Sequence, residues 1–184
     1  LVEKALYLIQ ENNLKSTLEL GVGSGCIIAA ILSNSIGTKA VGVDISEQAI
    51  MTAKSNLIKN GIKNFDLVVS DWGLSLNRAF DIIISNPPYI KTNEIKNLNK
   101  NVKDHDPLIS LDGGVDGLDC YRVIANQSTH LINDKGYILV EIGHDQAKGV
   151  EKIFGNSNFL LINKVKDYSK LDRVLIFVKK KIKK

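Results

Sequence analysis

The residues best suited to chemistry are Asn86-Pro87-Pro88-Tyr89, which close the apolar run Phe80-Asp81-Ile82-Ile83-Ile84-Ser85. Proline cannot donate to a sheet ladder, so a strand entering this run must end where Pro87 begins. Asn86, just before a proline, is pushed toward extended backbone. The result is a stiff strand end offering a carboxamide, peptide carbonyls without competing N–H groups, and an aromatic face. Such a constellation could grip a planar NH2 group. Asn86 Oδ1 and the Pro87 carbonyl would accept its two hydrogens, and Tyr89 would pack against its plane. The expected catalytic residues are Asn86, Pro87 and Tyr89; the same three with Pro88 are the expected substrate contacts.

A second constellation follows Thr17-Leu18-Glu19-Leu20, which reads as a strand running into Gly21-Val22-Gly23-Ser24-Gly25, with Cys26 to Leu32 apolar at helical length. Strand, glycine-rich turn and helix form a nucleotide-type cradle, whose glycines permit tight geometry and let a ligand approach backbone N–H groups. The spacing departs from the dinucleotide fingerprint, and no Lys-Ser/Thr makes it a phosphate-binding loop. Lys39 to Asp44 is a second strand ending in an acid. Asp44 lies nineteen positions after Gly25, close to the ~20-residue spacing at which a carboxylate meets ribose hydroxyls. Phe65 to Ser70, a third strand, ends at Asp71-Trp72. The sole tryptophan offers a flat apolar face that could cover an adenine. Asp71 could accept the adenine amino group or merely cap a turn.

These features share one requirement: strands must deliver them to a common edge. Glu3 to about Asn12 reads as an amphipathic helix, and Ser46 is a good N-cap for a helix with Ala49, Ile50, Ala53 and Leu57 on one face. Leu118 to Leu131 and Ala147 to Phe154 are helical; Gly136 to Glu141, Phe159 to Val165 and Val174 to Val178 are strands. Strands alternating with helices predict a doubly wound, seven-stranded α/β sheet of Rossmann-like form, mostly parallel with an antiparallel last strand. All three prolines fall between Asn86 and Leu118. A loop that long is expected to serve as a lid, with His105-Asp106-Pro107 and Asp112-Gly113-Gly114 as turns and His105 exposed within it.

Composition narrows the classes. A chain of 184 residues suits one domain, 1–184, and 44% apolar content is ordinary for a globular protein. No apolar run approaches the ~20 residues needed to span a bilayer. Taking away the five lysines of residues 179–184 turns the net charge of +4 into −1. No broad basic face remains of the kind that marks a nucleic-acid binder. Cys26 and Cys120 lack metal-ligand spacing, so no metal site is expected, and both read as reduced, small apolar side chains of a cytoplasmic protein.

The motifs together resemble the seven-stranded S-adenosylmethionine-dependent methyltransferases. More narrowly, they resemble the HemK/PrmC family, which methylates the glutamine of the Gly-Gly-Gln loop in peptide-chain release factors. The matching stretches are Glu19 to Ile27, Gly42-Val43-Asp44-Ile45-Ser46, Ser70-Asp71-Trp72, Asn86 to Ile90, Gly113 to Leu118, Tyr121-Arg122, and Glu141-Ile142-Gly143-His144-Asp145-Gln146. The later stretches separate this family from DNA adenine methyltransferases, which share only the Asn-Pro-Pro-Tyr logic.

That resemblance implies S-adenosylmethionine as cofactor, S-adenosylhomocysteine as product, and a release factor as protein substrate. It implies Gly21 to Gly25 facing the methionine moiety, Asp44 the ribose and Trp72 the adenine. Glu19, Val22, Ser24, Ile45, Asp71 and Asn86 complete the expected cofactor contacts. His105-Asp106-Pro107 stands where the family more often has Glu-Pro, and Ser169 to Arg173 lacks a glycine usual near that arginine. The family's N-terminal helical docking domain is not in this sequence, so a catalytic domain cut from something longer is expected. The competing readings are an adenine-N6 methyltransferase of DNA or RNA and a cofactor-binding module without activity. Neither stable nucleic-acid binding nor membrane attachment is expected.

Overall fold

Runs such as Ile82-Ile83-Ile84 can be apolar at every position only if both sheet faces are covered. The computed structural model describes residues 1–97 and 107–180. Its strands are β1 (Ser16–Leu20), β2 (Lys39–Asp44), β3 (Phe65–Val69), β4 (Phe80–Ser85), β5 (Ile132–Glu141), β6 (Phe159–Lys166) and β7 (Asp172–Lys179). They form one sheet in the order β3-β2-β1-β4-β5-β7-β6. The pairs among β1 to β5 are parallel. β7, last in the chain, runs antiparallel between β5 and β6.

Helices cover both faces: α1 (Val2–Asn12), α2 (Cys26–Asn34), α3 (Glu47–Lys59), α4 (Thr92–Ile95), α5 (Asp119–Leu131) and α6 (Ala147–Asn156). Side chains alternate across a strand. Leu18, Val43, Ile83 and Val140 therefore pack with Tyr121 and Ile124 of α5 and Val150 and Phe154 of α6. Phe154 stacks on Phe177 of β7 with centroids 4.3 Å apart. On the opposite face Ile82, Ile84 and Leu139 meet Ala5 and Ile9 of α1 and Ile31 of α2. Ala40 packs there with Ile28 of α2 and Ala53 and Leu57 of α3. Burial on this scale contributes about 25 cal/mol per Å² of apolar surface, the main stabilising term.

The sheet is doubly wound as expected. From β1 the chain winds outward through β2 and β3, then returns to place β4 on the other side of β1. Strand order thus reverses between β1 and β4, where open α/β sheets form a ligand crevice at their C-terminal edge. Ser46 caps α3 by accepting from the Ala49 N–H at 3.2 Å.

Two local outcomes differ from the sequence reading, and a third accounts for a departure it noted. β5 starts at Ile132 rather than Gly136, because Ile132 pairs with Phe80 ahead of an irregularity in register. The stretch after Asn86 is not bare loop. It holds α4, a 3-10 turn at Leu108–Ser110 and an isolated bridge between Ile90 and Asp112. The turn before Arg173 has Lys170 at φ 62°, the left-handed region that glycine enters without strain. His105 and Asp106, the centre of the expected lid turn, lie outside the described residues, as do Lys181 to Lys184.

Candidate active site

Alternation along β1 sends Glu19 to the face opposite Leu18 and Leu20, beneath the first turn of α2. There its Oε2 accepts the Ile28 N–H at 2.9 Å, satisfying a helix-start donor. Only 1% of Glu19 is exposed. Burial pushes its carboxyl up to about 8, the Ile28 bond opposing and neighbouring Asp44 reinforcing the shift.

The glycine turn is fastened to β2 and α3. Gly21 and Val22 N–H groups both donate to Val43 O at 2.9 Å, and Gly25 N–H donates to Val22 O at 2.8 Å. Gly23 N–H donates to Asp44 Oδ2 at 2.9 Å, and Asp44 Oδ1 accepts from Ser46 N–H at 3.0 Å. Asn56 Nδ2 holds Ser24 O at 2.9 Å. The Gly21, Val22, Gly23 and Gly25 N–H groups, expected to lie open to a ligand, are therefore committed within the protein, to Val43, Asp44 and Val22. What the turn offers is shape. At Gly25 (φ 81°) a Cβ would sit 3.1 Å from Ala53 Cβ, so glycine there lets α2 approach α3.

Beyond β3, Trp72 has φ 50°, an uncommon backbone for a bulky residue. The turn is held from α5, where Gln127 Oε1 accepts the Gly73 N–H at 2.6 Å. The half-buried indole packs against the core cluster. Asp71 is exposed and its side chain bonds to nothing among the described residues, so it does not cap the turn.

These walls enclose a cleft of about 630 Å³, within the ~300–1,000 Å³ usual for small-molecule sites. Of the residues expected at the cofactor, Glu19, Gly21, Val22, Gly23, Ser24, Asp44, Ile45, Asp71, Trp72 and Asn86 line it; Gly25 stands behind its wall. A second cleft of about 180 Å³ is lined by Asn86, Pro87, Pro88, Tyr89, Ile90, Ser110 and Leu111. Asn86, Pro88 and Ser110 belong to both. Ser85, fully buried, donates its hydroxyl to Leu20 O at 2.7 Å and ties the end of β4 to the end of β1 just before Asn86. The Asn86 carboxamide is exposed and has no hydrogen-bond partner among the described residues.

Charge is one-sided in the large cleft. Asp44, Asp71 and Asp112 line it beside Glu19, which burial keeps protonated up to about pH 8, and among the described residues no Lys, Arg or His does. With glycine-turn donors already used, a phosphate would meet carboxylates and few free N–H groups. A ligand bearing positive charge fits, as a sulfonium with an ammonium group would.

Sequence reasoning missed several lining residues. Cys26 is exposed and Cys120 half-buried, and both line the large cleft instead of filling the core. Their positions in the first turns of α2 and α5 face the sheet's open edge. Burial, with Asp119 and Asp112 nearby, pushes the Cys120 thiol up to about 11, so it is no nucleophile. Ile109, Ser110 and Asp112 arrive from the chain after Pro107; the length and prolines of the stretch after Asn86 raised the expectation of a lid but not of which residues reach in. Among the described residues no group of three or more His, Cys, Asp or Glu could hold a metal ion, and no helix is long and apolar enough to cross a membrane.

A switch-point crevice, a glycine turn closed on itself and an acidic cleft joined to a proline-walled pocket define the class: a doubly wound α/β domain with a small-molecule cleft at the C-terminal edge of its sheet. Residues 5–104 match the family described as methyltransferase small domain, and the chain belongs to that family. It is 43% identical over 161 residues to a release factor glutamine methyltransferase of Agrobacterium fabrum, covering 87% of this chain and 56% of that protein. It is 39% identical over 185 residues to one of Fusobacterium nucleatum, covering 100% and 52%. The chain thus spans little more than half the length of these relatives. Its fold is also that of a ribosomal protein L11 methylase from Lactobacillus delbrueckii subsp. bulgaricus (TM-score 0.71, 16% identity, 98% of this chain and 79% of that one). A methyltransferase from Pyrococcus furiosus is similar too (TM-score 0.67, 17% identity, 96% and 82%).

Proposed function

We propose that this domain transfers a methyl group from S-adenosylmethionine to the side-chain amide nitrogen of a glutamine, that of the Gly-Gly-Gln motif in a peptide-chain release factor. The observation that carries the reading is the position of Asn86, whose unengaged carboxamide forms part of the wall between the acidic cleft and the small pocket. The names of the relatives support the choice of substrate.

Glu19, Gly21 to Ser24, Asp44, Ile45, Asp71 and Trp72 would hold the cofactor, and their acidic character suits its two positive groups. When bound, S-adenosylmethionine supplies an electrophilic methyl carried on a sulfonium. In the small pocket Asn86 Oδ1 and the Pro87 carbonyl accept the two hydrogens of the substrate amide, and Tyr89 packs against its plane. An amide nitrogen is a poor nucleophile because its lone pair is delocalised, so the help it needs is orientation. Positive charge developing on that nitrogen strengthens both hydrogen bonds, which therefore favour the transition state over the ground state. The methylated nitrogen is acidic enough to lose its proton to water, so no strong base is required beside Asn86.

The test is incubation of the domain with labelled S-adenosylmethionine and purified release factor, with mass spectrometry of the product. One methyl on the Gly-Gly-Gln glutamine is the expected result. Label entering adenine-containing DNA, or a release factor whose glutamine is replaced, would overturn the assignment.

A further inference from the structure

Gln146 is the residue just before α6, and its side chain is 7% exposed. Its carboxamide is fully engaged. Nε2 donates to Tyr89 O at 2.8 Å and to Gly117 O at 3.0 Å. Oε1 accepts the Gly143 N–H at 3.0 Å, with the Tyr121 hydroxyl 3.4 Å away. One side chain therefore joins three segments distant in sequence: the strand end carrying Asn86 to Tyr89, the turn at 113–117, and the end of β5.

The surroundings are built around this contact. Gly117 has φ 74°, and a Cβ there would lie 2.6 Å from Tyr89 O and 2.7 Å from Gln146 Nε2. A Cβ on Gly113 would lie 2.8 Å from Tyr89 Cα. Both positions admit only glycine at this separation. Gly113 N–H donates to Ile90 O at 2.8 Å, and Ile90 N–H to Leu111 O at 3.0 Å, so the 107–118 segment is strapped along the residues that follow the prolines. Ser110 and Leu111 of the same segment wall the small pocket.

We propose that Gln146 is a positioning residue for methyl transfer: by pinning Tyr89 O and Gly117 O together it fixes the Asn86–Tyr89 cradle and its opposite wall in register. Touching neither cleft, it acts through Tyr89. The inference rests on the proposed substrate reading for its activity readout and on backbone geometry for its other readout.

The experiment compares wild type with Gln146→Met, which keeps the side-chain length but removes both donors and the acceptor, and with Gly117→Ala, which breaks the same contact from the other side. Losing the two bonds that pin Tyr89 O and Gly117 O should lower kcat on release factor about 10- to 100-fold. KM and cofactor affinity, by calorimetry, should stay within about threefold. Amide exchange should quicken at Ile90 and Gly113 while Ile28 and Val43 keep their protection. Unchanged kcat in an active enzyme overturns the proposal, as does exchange that rises uniformly or a loss of fold in both variants, since Gln146 would then be a general structural residue. If wild type leaves the release factor unmodified, the substrate reading falls. The positioning role then stands or falls on whether faster exchange is confined to Ile90 and Gly113.

Discussion

Glu19 and Asp81 lie on the paired strands β1 and β4, at opposite edges of the sheet. Asp81, at the N-terminal edge, is saturated. Its Oδ2 accepts from the Lys15 and Ser16 N–H groups and the Ser16 hydroxyl, each at 2.9 Å, and its Oδ1 from Asn133 Nδ2 at 2.8 Å. Partial burial alone would raise its pKa, but these four bonds outweigh it and hold the carboxyl below the ordinary range. Glu19, at the C-terminal edge, has a single hydrogen bond, is almost wholly buried, and is pushed the other way. Similar groups on adjacent strands thus do opposite work. At the N-terminal edge Asp81 fills its hydrogen-bonding capacity, stitching α1's exit to β4 and β5. The C-terminal edge leaves Glu19 half-satisfied and the Asn86 and Asp71 side chains without partners among the described residues, which is where a sheet gives up stability for a ligand.

The comparison can be broken most forcefully at Glu19. Its raised folded-state pKa means the folded state holds the proton more tightly, so stability is fully present below the ordinary glutamate value of about 4.5 and is lost as pH rises through about 8. The slope approaches about 1.4 kcal/mol per pH unit, or roughly 5 kcal/mol across the window from about 4.5 to about 8. Glu19→Gln, which cannot ionise, should flatten this dependence in urea titrations between pH 5 and 8. An unchanged slope would show that Glu19 is not the odd carboxylate.

Asn86→Ala should lower the rate of methyl transfer about 100- to 1000-fold, the cost of one transition-state hydrogen bond. Cofactor affinity should stay within about tenfold, and the melting temperature should hardly move, because nothing described bonds to Asn86. Single-turnover kinetics beside calorimetry checks all three.

Asp81→Ala is the mirror experiment. It strands two backbone N–H groups and should destabilise by about 2 kcal/mol while leaving the rate per folded molecule intact. The stability owed to Asp81 is present above the ordinary aspartate range and lost as pH falls through its depressed pKa. The wild type should therefore lose this stability as pH falls through that range, and the Asp81→Ala curve, lower overall, should lack that acid-side drop in urea titrations.

The smallest effect sharpens the picture from within β1. Thr17, one strand position pair below Glu19 on the same face, buries its hydroxyl with no partner among the described residues. Thr17→Val should stabilise by about 1 kcal/mol without touching activity, measured by thermal denaturation. A destabilised variant would mean that the hydroxyl is satisfied after all.

Much of this protein was determined by the sequence alone. Apolar runs closed by Pro87, by Asp44 and by Asp71-Trp72 set strand ends, and strand ends set one edge, because a parallel sheet aligns its C-termini. Local rules of that kind need only neighbours in the chain. They suffice to bring Gly21 to Ser24, Asp44, Trp72 and Asn86 to a common cleft. What the tertiary structure decided are matters of partnership across long separations. The glycine turn's N–H groups are taken by Val43 and Asp44; Trp72's turn is tethered by Gln127. Cys26 and Cys120 face the cleft. Gln146, 57 residues from Tyr89, takes its carbonyl. A side chain's hydrogen-bond partner depends on which segments packing brings within 3 Å, and nothing in residue type or local spacing encodes that distance.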